Sequence, residues 1–277
     1  MEAGGLRWHV TVATGPGTRL LLVHGTGASV HSWDRLLAQL PPGFAPLAMD
    51  LPGHGGTSTP TAEQLTLPGM SRALKALLDR AGAMPEIAVG HSAGAALLVR
   101  MALDGLIAPR AIVSINGAFL PFGGPLAPVF TPMAKMLYAQ GWLPRLFAWR
   151  AADRRVVQRM IEGTGSFLDD AGIDAYQRLV QRPGHSEAAL GMMAHWDLRS
   201  LAQDLPRLAT PLHLLVGERD IAVPPSQARH VATLCPAARI TRLSNVGHLA
   251  HEEDPASVAR FIATLDSAGG IPTRPRV

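Results

Sequence analysis

The sequence is poor in cysteine and has no long uninterrupted apolar segment. Its single cysteine, Cys235, cannot form an intrachain disulfide, and one thiol cannot build a cysteine metal cluster. No run approaches the roughly 18 consecutive apolar residues that a membrane-spanning helix requires. The first ten residues contain Glu2, Arg7 and His9 in place of the apolar core of a signal peptide. These absences predict a soluble, cytoplasmic protein.

Lysine is also scarce, because only Lys75 and Lys135 occur and nearly all cations are arginines. The formal net charge is +4, and the positive charges are spread along the chain. This predicts a solvated surface, although attraction to an acidic partner or an anionic lipid surface stays open. No motif of interleaved basic and aromatic residues typical of nucleic acid binding appears, so we expect no nucleic acid partner. The eleven histidines show no H-E-x-x-H or similar spacing, and we expect no metal and no cofactor.

Strand-like and helix-like segments alternate over the first 116 residues. Apolar runs without alternation fit strands that are buried on both faces, and repeated strand–helix–strand units predict a parallel sheet. The fold class is therefore α/β, with a mostly parallel central sheet and helices on both faces. Predicted strands cover 19–23, 44–49, 86–89, 111–115, 211–216 and 239–243, and predicted helices cover 32–40, 67–81, 93–103 and 255–265.

A helical segment rich in Met, Trp, Arg and Pro interrupts this rhythm at about 119–201. It is predicted to be a helical lid inserted into a single domain that spans residues 1–266. The last residues, 267–277, contain two adjacent glycines and two prolines, and are predicted to be a disordered tail.

The segment Gly90-His91-Ser92-Ala93-Gly94 matches G-x-S-x-G between a predicted strand and a predicted helix. That context is the nucleophile elbow, a sharp turn whose neighbours must be small and which lifts a serine hydroxyl above the sheet. We interpret Ser92 as the nucleophile. The alternative is a helix-capping serine in a protein that has lost activity.

A serine hydroxyl needs a base, and the base needs an orienting carboxylate. In the order nucleophile, acid, base, these residues should follow the last two strands. Asp220 and His248 have those positions and are the predicted acid and base. The competing candidates are Glu218 and Asp204 for the acid and His251 for the base, with His251 predicted to be a surface residue beside two glutamates. Asn116, where some relatives carry the acid, has no charge.

The turn that begins at His24 follows the first strong strand and is predicted to supply half of an oxyanion hole. The backbone N–H groups of Thr26 and Ala93 are the predicted donors. A plain glycine turn is the alternative. His24 is predicted to be structural, and His54 and His91 are predicted to lie near the site without a required role.

The lid contains large apolar side chains with arginines among them. Three interpretations are open. These side chains could serve simply to pack the lid onto the sheet, they could touch a membrane surface, or they could bind a large apolar ligand such as a porphyrin or its ester. In the third interpretation the substrate contacts are His91, Trp142, Arg145, Trp149 and Trp196.

Together these motifs resemble the α/β-hydrolase fold superfamily over nearly the whole chain. Within it, the chain is similar to the magnesium-chelatase accessory proteins of bacteriochlorophyll synthesis, the BchO family. The matching segments are 51–55, 90–96, 103–110, 114–118, 144–150 and 194–198. The resemblance implies a role in the magnesium branch of tetrapyrrole synthesis, with magnesium-chelatase subunits as possible partners.

Three functions follow as hypotheses. The first is a serine hydrolase of the ester type that serves bacteriochlorophyll synthesis. The second is a non-catalytic accessory that binds porphyrin or chelatase subunits, and the third is a general carboxylesterase. A haloalkane dehalogenase is not expected, because that chemistry needs a carboxylate where Ser92 stands.

Overall fold

The computed structural model describes residues 1–12, 15–121 and 149–267. Nine strands are described. They are β1 (Glu2–Ala3), β2 (Leu6–Arg7), β3 (Val10–Val12), β4 (Thr18–Val23), β5 (Phe44–Met49), β6 (Ile87–His91), β7 (Ala111–Ile115), β8 (Leu212–Gly217) and β9 (Ala238–Leu243). Strands β1 and β2 form a separate antiparallel pair.

Ten α-helices are described in the same residues. They are α1 (Asp34–Leu37), α2 (Leu67–Ala81), α3 (Ala93–Leu103), α4 (Arg154–Glu162), α5 (Asp170–Val180), α6 (Pro183–His195), α7 (Arg199–Asp204), α8 (Pro225–Leu234), α9 (Ala250–Glu253) and α10 (Pro255–Ser267). Short 3-10 turns occupy Val30–Trp33, Glu63–Leu65 and Leu205–Arg207. Among the described helices, none combines the length and the apolarity needed to cross a bilayer.

The main sheet has seven strands in the order β3-β5-β4-β6-β7-β8-β9. All neighbours are parallel except β3, which runs antiparallel to β5. Strand β4 is apolar without alternation because both of its faces are buried. Leu21 and Val23 pack into one core cluster, whereas Leu20 and Leu22 pack into a second cluster. Helices therefore cover both faces, and the predicted fold class is confirmed.

Local signals set several helix ends where the sequence predicted them. The side chain of Thr66 caps α2 by accepting from the Gly69 N–H, and Gly82 ends it with a left-handed φ of 61°. The predicted helix at 32–40 is shorter, because a 3-10 turn leads into the four residues of α1. Strands β1, β2 and β3 and helix α8 were not predicted.

Between β7 and β8 the described residues 149–204 contain four helices, α4 to α7, which are called the lid helices below. Phe119, at which the predicted lid begins, is packed in the core and is 1% exposed. Helix α10 extends to Ser267, which was predicted to begin the tail. Residues 122–148 and 268–277 lie outside the described part of the chain.

The carboxyl ends of the six parallel strands meet at one edge of the sheet, which is the usual place for a site in an open α/β sheet. The residues that follow these ends include the predicted nucleophile, acid and base, which are Ser92, Asp220 and His248. His24, Asp50 and Asn116 follow the ends of β4, β5 and β7 at the same edge.

Candidate active site

Ser92 lies on a strained turn between β6 and α3, with φ 51° and ψ −117°. Such backbone geometry is uncommon for a non-glycine residue and occurs often at functional sites. The flanking glycines make the turn possible. A Cβ atom at Gly94 would overlap the carbonyl oxygen of Val23, and one at Gly90 would lie 2.5 Å from the Ala95 nitrogen. Helix α3 therefore approaches the sheet closely enough to place Ser92 at its edge.

The predicted acid and base are brought together. His248 Nδ1 lies 2.8 Å from Asp220 Oδ2, and the Asp220 side chain is fully buried. The other Asp220 oxygen accepts from the Val223 N–H at 2.8 Å, which fixes the carboxylate. Because Nδ1–H donates to this carboxylate, the Nε2 lone pair of His248 is free to accept a proton.

The alternative carboxylates lie elsewhere. Glu218 is exposed, and Asp204 pairs with Arg100 at 2.8 Å. Asn116, at the end of β7, uses its side-chain amide for hydrogen bonds to the backbone of neighbouring loops.

The prediction that His251 is a surface residue is wrong. Its side chain is fully buried, with ring centroids 4.6 Å from both Trp33 and His91. Burial lowers the pKa of His251 to about 3, and burial raises the pKa of Glu252 to about 8. Both groups are thus uncharged at neutral pH, and their 3.9 Å separation is too long for a hydrogen bond. His251 therefore lies beside the His91 ring with no carboxylate at hydrogen-bond distance to orient it as a base.

The loop after β4 packs against the elbow. A Cβ atom on Gly25 would lie 3.0 Å from the Cβ of Ser92, so this glycine permits the approach. The Thr26 hydroxyl donates to Met192 Sδ at 3.4 Å. Ala93 occupies the first turn of α3, whose backbone N–H groups have no partner within the helix. Thr26 thus follows the glycine that approaches the elbow, and Ala93 follows Ser92 in the chain.

His24 is structural, as predicted. Its Nδ1–H donates to the Gly25 carbonyl at 2.8 Å, and its Nε2 accepts from the Leu51 N–H at 2.9 Å. Burial lowers the pKa of His24 to about 3, so the ring remains a neutral tie between two loops.

A cavity of about 260 Å³ opens beside Thr26, His91 and His248. Its walls come from the loop after β4, from the lid helices α4, α5 and α6, and from the loop that carries His248. Most lining side chains are apolar, and the lining residues that the structure describes include no Asp, Glu, Lys or Arg. They are Thr26, Gly27, Ala28, His91, Val157, Met160, Ile161, Thr164, Tyr176, Val180, His185, Ser186, Ala189, Leu190, Met193, His248 and Leu249.

Of the predicted substrate contacts, His91 lines this cavity. Trp149 is 69% exposed, and Trp196 packs against the core cluster; neither is among the lining residues. Trp149 is therefore a surface residue and Trp196 a packing residue, and neither lines the cavity as the prediction of ligand contact required. Trp142 and Arg145 lie outside the described residues.

Sequence reasoning missed His185, which lies on lid helix α6 and lines the cavity. Its Nε2–H donates to the Gly27 carbonyl at 3.1 Å, and its Nδ1 accepts from the Gly55 N–H at 3.1 Å. The ring therefore joins the lid to two loops of the sheet edge, one of them next to Thr26. Burial lowers the pKa of His185 and favours the neutral ring that this pair of bonds requires. Nothing local in the sequence marks this residue.

Known proteins share this architecture. A model of the alpha/beta hydrolase family matches residues 20–261. The magnesium-chelatase 30 kDa subunit of Rhodobacter capsulatus is 37% identical over 253 residues, which are 91% of this chain and 88% of that protein. The chain belongs to the α/β-hydrolase family.

Two other similar proteins agree with this assignment. The pyrrolizixenacetamide deacetylase of Xenorhabdus hominickii is 28% identical over 91% of both chains. The crystal structure of an α/β-hydrolase fold protein from Burkholderia ambifaria has a TM-score of 0.77 at 23% identity, covering 94% of this chain and 93% of that one. The predicted resemblance to α/β-hydrolases, and within them to the BchO family, is confirmed.

Proposed function

We propose that this α/β-hydrolase is a serine hydrolase that cleaves an ester, with Ser92 as nucleophile, His248 as base and Asp220 as orienting acid. The observation that carries the proposal is the 2.8 Å hydrogen bond between His248 Nδ1 and Asp220 Oδ2. It lies at the same sheet edge as the strained Ser92 turn. An imidazole held in this tautomer is prepared to accept a proton at Nε2.

In the proposed reaction Ser92 Oγ attacks the ester carbonyl while His248 Nε2 takes the hydroxyl proton. The backbone N–H groups of Thr26 and Ala93 stabilise the negative oxygen that develops. The carbon–oxygen bond to the alcohol then breaks, and His248 returns its proton to the leaving alkoxide. Water, activated by the same imidazole, hydrolyses the acyl-enzyme and regenerates Ser92.

The cavity favours an ester with an uncharged, apolar group on one side of the scissile bond. Its described walls carry Val157, Ile161 and Leu190 and no charged group. A free carboxylate placed there would lose its hydration without gaining an ionic partner among the described residues. An esterified side chain of a tetrapyrrole meets this condition better than a free propionate does.

The similarity to the magnesium-chelatase 30 kDa subunit supports a place in magnesium–tetrapyrrole synthesis. The same similarity favours a second candidate, a non-catalytic accessory that binds chelatase subunits or porphyrin. The two candidates differ in whether the pathway role needs the Ser92 hydroxyl.

Contact of the lid with a membrane surface is a further part of the proposal. Met160, on α4, is exposed and lines the cavity, and Arg155 and Arg159 on the same helix are also exposed. Apolar residues flanked by arginine suit an anionic lipid surface. Co-sedimentation with vesicles that contain anionic lipid should exceed that with neutral vesicles.

A fluorophosphonate probe for active-site serines tests the catalytic proposal. It should label the wild-type protein and leave Ser92→Ala unlabelled. The matched control Ser244→Ala, which changes an exposed serine in the loop after β9, should label normally. Equal labelling of Ser92→Ala and wild type would exclude Ser92 as the nucleophile.

The same variants separate the two candidates in a bacterium that makes bacteriochlorophyll and lacks its own copy of this gene. Restoration of the pigment profile by wild type and Ser244→Ala, but not by Ser92→Ala, supports catalysis in the pathway. Restoration by Ser92→Ala as well supports the accessory role.

A further inference from the structure

The end of β7 and the loop that follows it contact Ser92, the His248 loop and the end of β8, which leads to Asp220. The Ile115 carbonyl accepts from the Ser92 N–H at 3.0 Å, and the Ala118 N–H donates to the Ser92 carbonyl at 3.1 Å. Between these two residues, Asn116 has a left-handed φ of 48° and is 2% exposed. The loop is therefore tied to the nucleophile elbow on both sides of Asn116.

The side chain of Asn116 makes hydrogen bonds to the loop that carries His248 and to the end of β8, which leads to Asp220. Its Nδ2 donates to the carbonyls of Gly247 at 2.8 Å and His248 at 2.9 Å. Its Oδ1 accepts at 2.8 Å from the N–H of Gly217, three residues before Asp220. The amide orientation follows from chemistry, since two carbonyl oxygens can face only the NH₂ group and an N–H can face only the oxygen.

A second donor reinforces the same point. His91 Nε2–H donates to the His248 carbonyl at 2.9 Å. The backbone of the proposed base is thus held by one side chain from the end of β6 and one from the loop that follows β7. Of these two side chains, only that of Asn116 also binds the end of β8, which leads to the acid.

We infer that Asn116 is a positioning residue, which holds the His248 loop and the Asp220 loop in register with each other and with Ser92. The inference rests on the proposed function. Asn116 stands where a carboxylate would be if the acid followed β7. Its amide is suited to the bridging task, because an aspartate there would offer no donor to the two carbonyls.

The substitution Asn116→Asp isolates this role. Asparagine and aspartate have nearly the same shape and both tolerate left-handed backbone geometry, so the turn itself gains little strain. The variant loses both bonds to the 247–248 backbone and places an acceptor against two acceptors. Asn245→Asp is the matched control, because Asn245 also has a left-handed φ, of 62°, but is exposed and accepts from Arg219 through Oδ1.

For Asn116→Asp we expect phosphonylation by the serine probe, and kcat for a chromogenic ester, to fall on the order of 100-fold. The KM should change less than threefold, since the cavity walls are untouched. The low-field NMR signal of the His248 Nδ1 proton shared with Asp220 should be lost or displaced. Asn245→Asp should keep all three properties.

Labelling within threefold of wild type together with an unchanged low-field signal in folded Asn116→Asp would overturn the inference. An equal loss in Asn245→Asp would overturn it as well. If Asn116→Asp does not fold, Asn116→Ser decides by the same measurements. A wild-type protein that the probe never labels refutes the proposed function, and the NMR comparison then still decides whether Asn116 holds the His248–Asp220 pair.

Discussion

Replacing His251 by phenylalanine should stabilise the protein, and the gain should grow as the pH falls. His251 is fully buried between Trp33 and His91, and both of its ring nitrogens lack a hydrogen-bond partner. A buried unsatisfied polar group costs about 1–3 kcal/mol. Phenylalanine removes that cost and keeps an aromatic ring in the stack.

The pH-dependent part follows from the pKa of His251, which burial lowers from 6.5 to about 3. The unfolded state binds a proton at His251 more readily than the folded state does. Protonation therefore costs no stability well above pH 6.5, and it lowers the free energy of unfolding progressively as the pH falls from 6.5 towards 3. At pH 5.5 the loss is about 1 kcal/mol, and at pH 7.5 it is close to zero. His251→Phe escapes this loss.

Urea unfolding of wild type and His251→Phe at pH 7.5 and pH 5.5 measures the difference. The free energy of unfolding of the variant should exceed that of wild type by about 1 kcal/mol more at the lower pH. A steric cost of the larger ring would be the same at both pH values and cannot imitate this widening. His230→Phe, on an exposed position of α8, should show no such change. A gap that does not widen would mean that His251 finds a partner for its charged form.

Three further predictions concern the site. Asp220→Asn should lower ester turnover on the order of 10³–10⁴-fold with the fold retained, whereas Glu218→Gln should not; the reverse pattern would identify Glu218 as the acid. His185→Ala should lower kcat about tenfold by freeing the loop next to Thr26, and wild-type kinetics would show that the lid bond is dispensable. Gly94→Ala should destabilise by at least about 3 kcal/mol in urea unfolding, because its Cβ has no room. The helical control Gly184→Ala, with open space at its Cβ, should stabilise slightly.

Features that depend on neighbouring residues along the chain could be predicted from the sequence. Helices α2 and α3 and strands β5 and β7 have the predicted bounds, because unbroken apolar runs and punctuating Gly and Pro mark them. The positions of Ser92, Asp220 and His248 at one edge also followed, since a parallel sheet brings its strand ends together.

Features that depend on distant contacts could not be predicted. His251 precedes two glutamates and has the local pattern of a surface residue. Its burial depends on contact with the distant Trp33. The neighbouring Glu252 is also buried, and its carboxyl accepts a hydrogen bond at 2.6 Å from the hydroxyl of Tyr176 on a lid helix. His185 joins the lid to loops 130 and 158 positions earlier. Periodicity within a short segment contains no information about such pairs.

Two buried histidines near the proposed base, His91 and His251, have a common electrostatic consequence for it. In the transition state His248 becomes an imidazolium, and any positive charge beside it would oppose that step. Burial lowers the pKa of His91, whose ring centroid is 4.7 Å from that of His248, and lowers the pKa of His251 behind it to about 3. Both rings therefore stay neutral while Asp220 provides the compensating carboxylate at 2.8 Å. The apolar setting that costs stability at low pH thus keeps both neighbouring rings uncharged beside the imidazole that the proposed reaction uses.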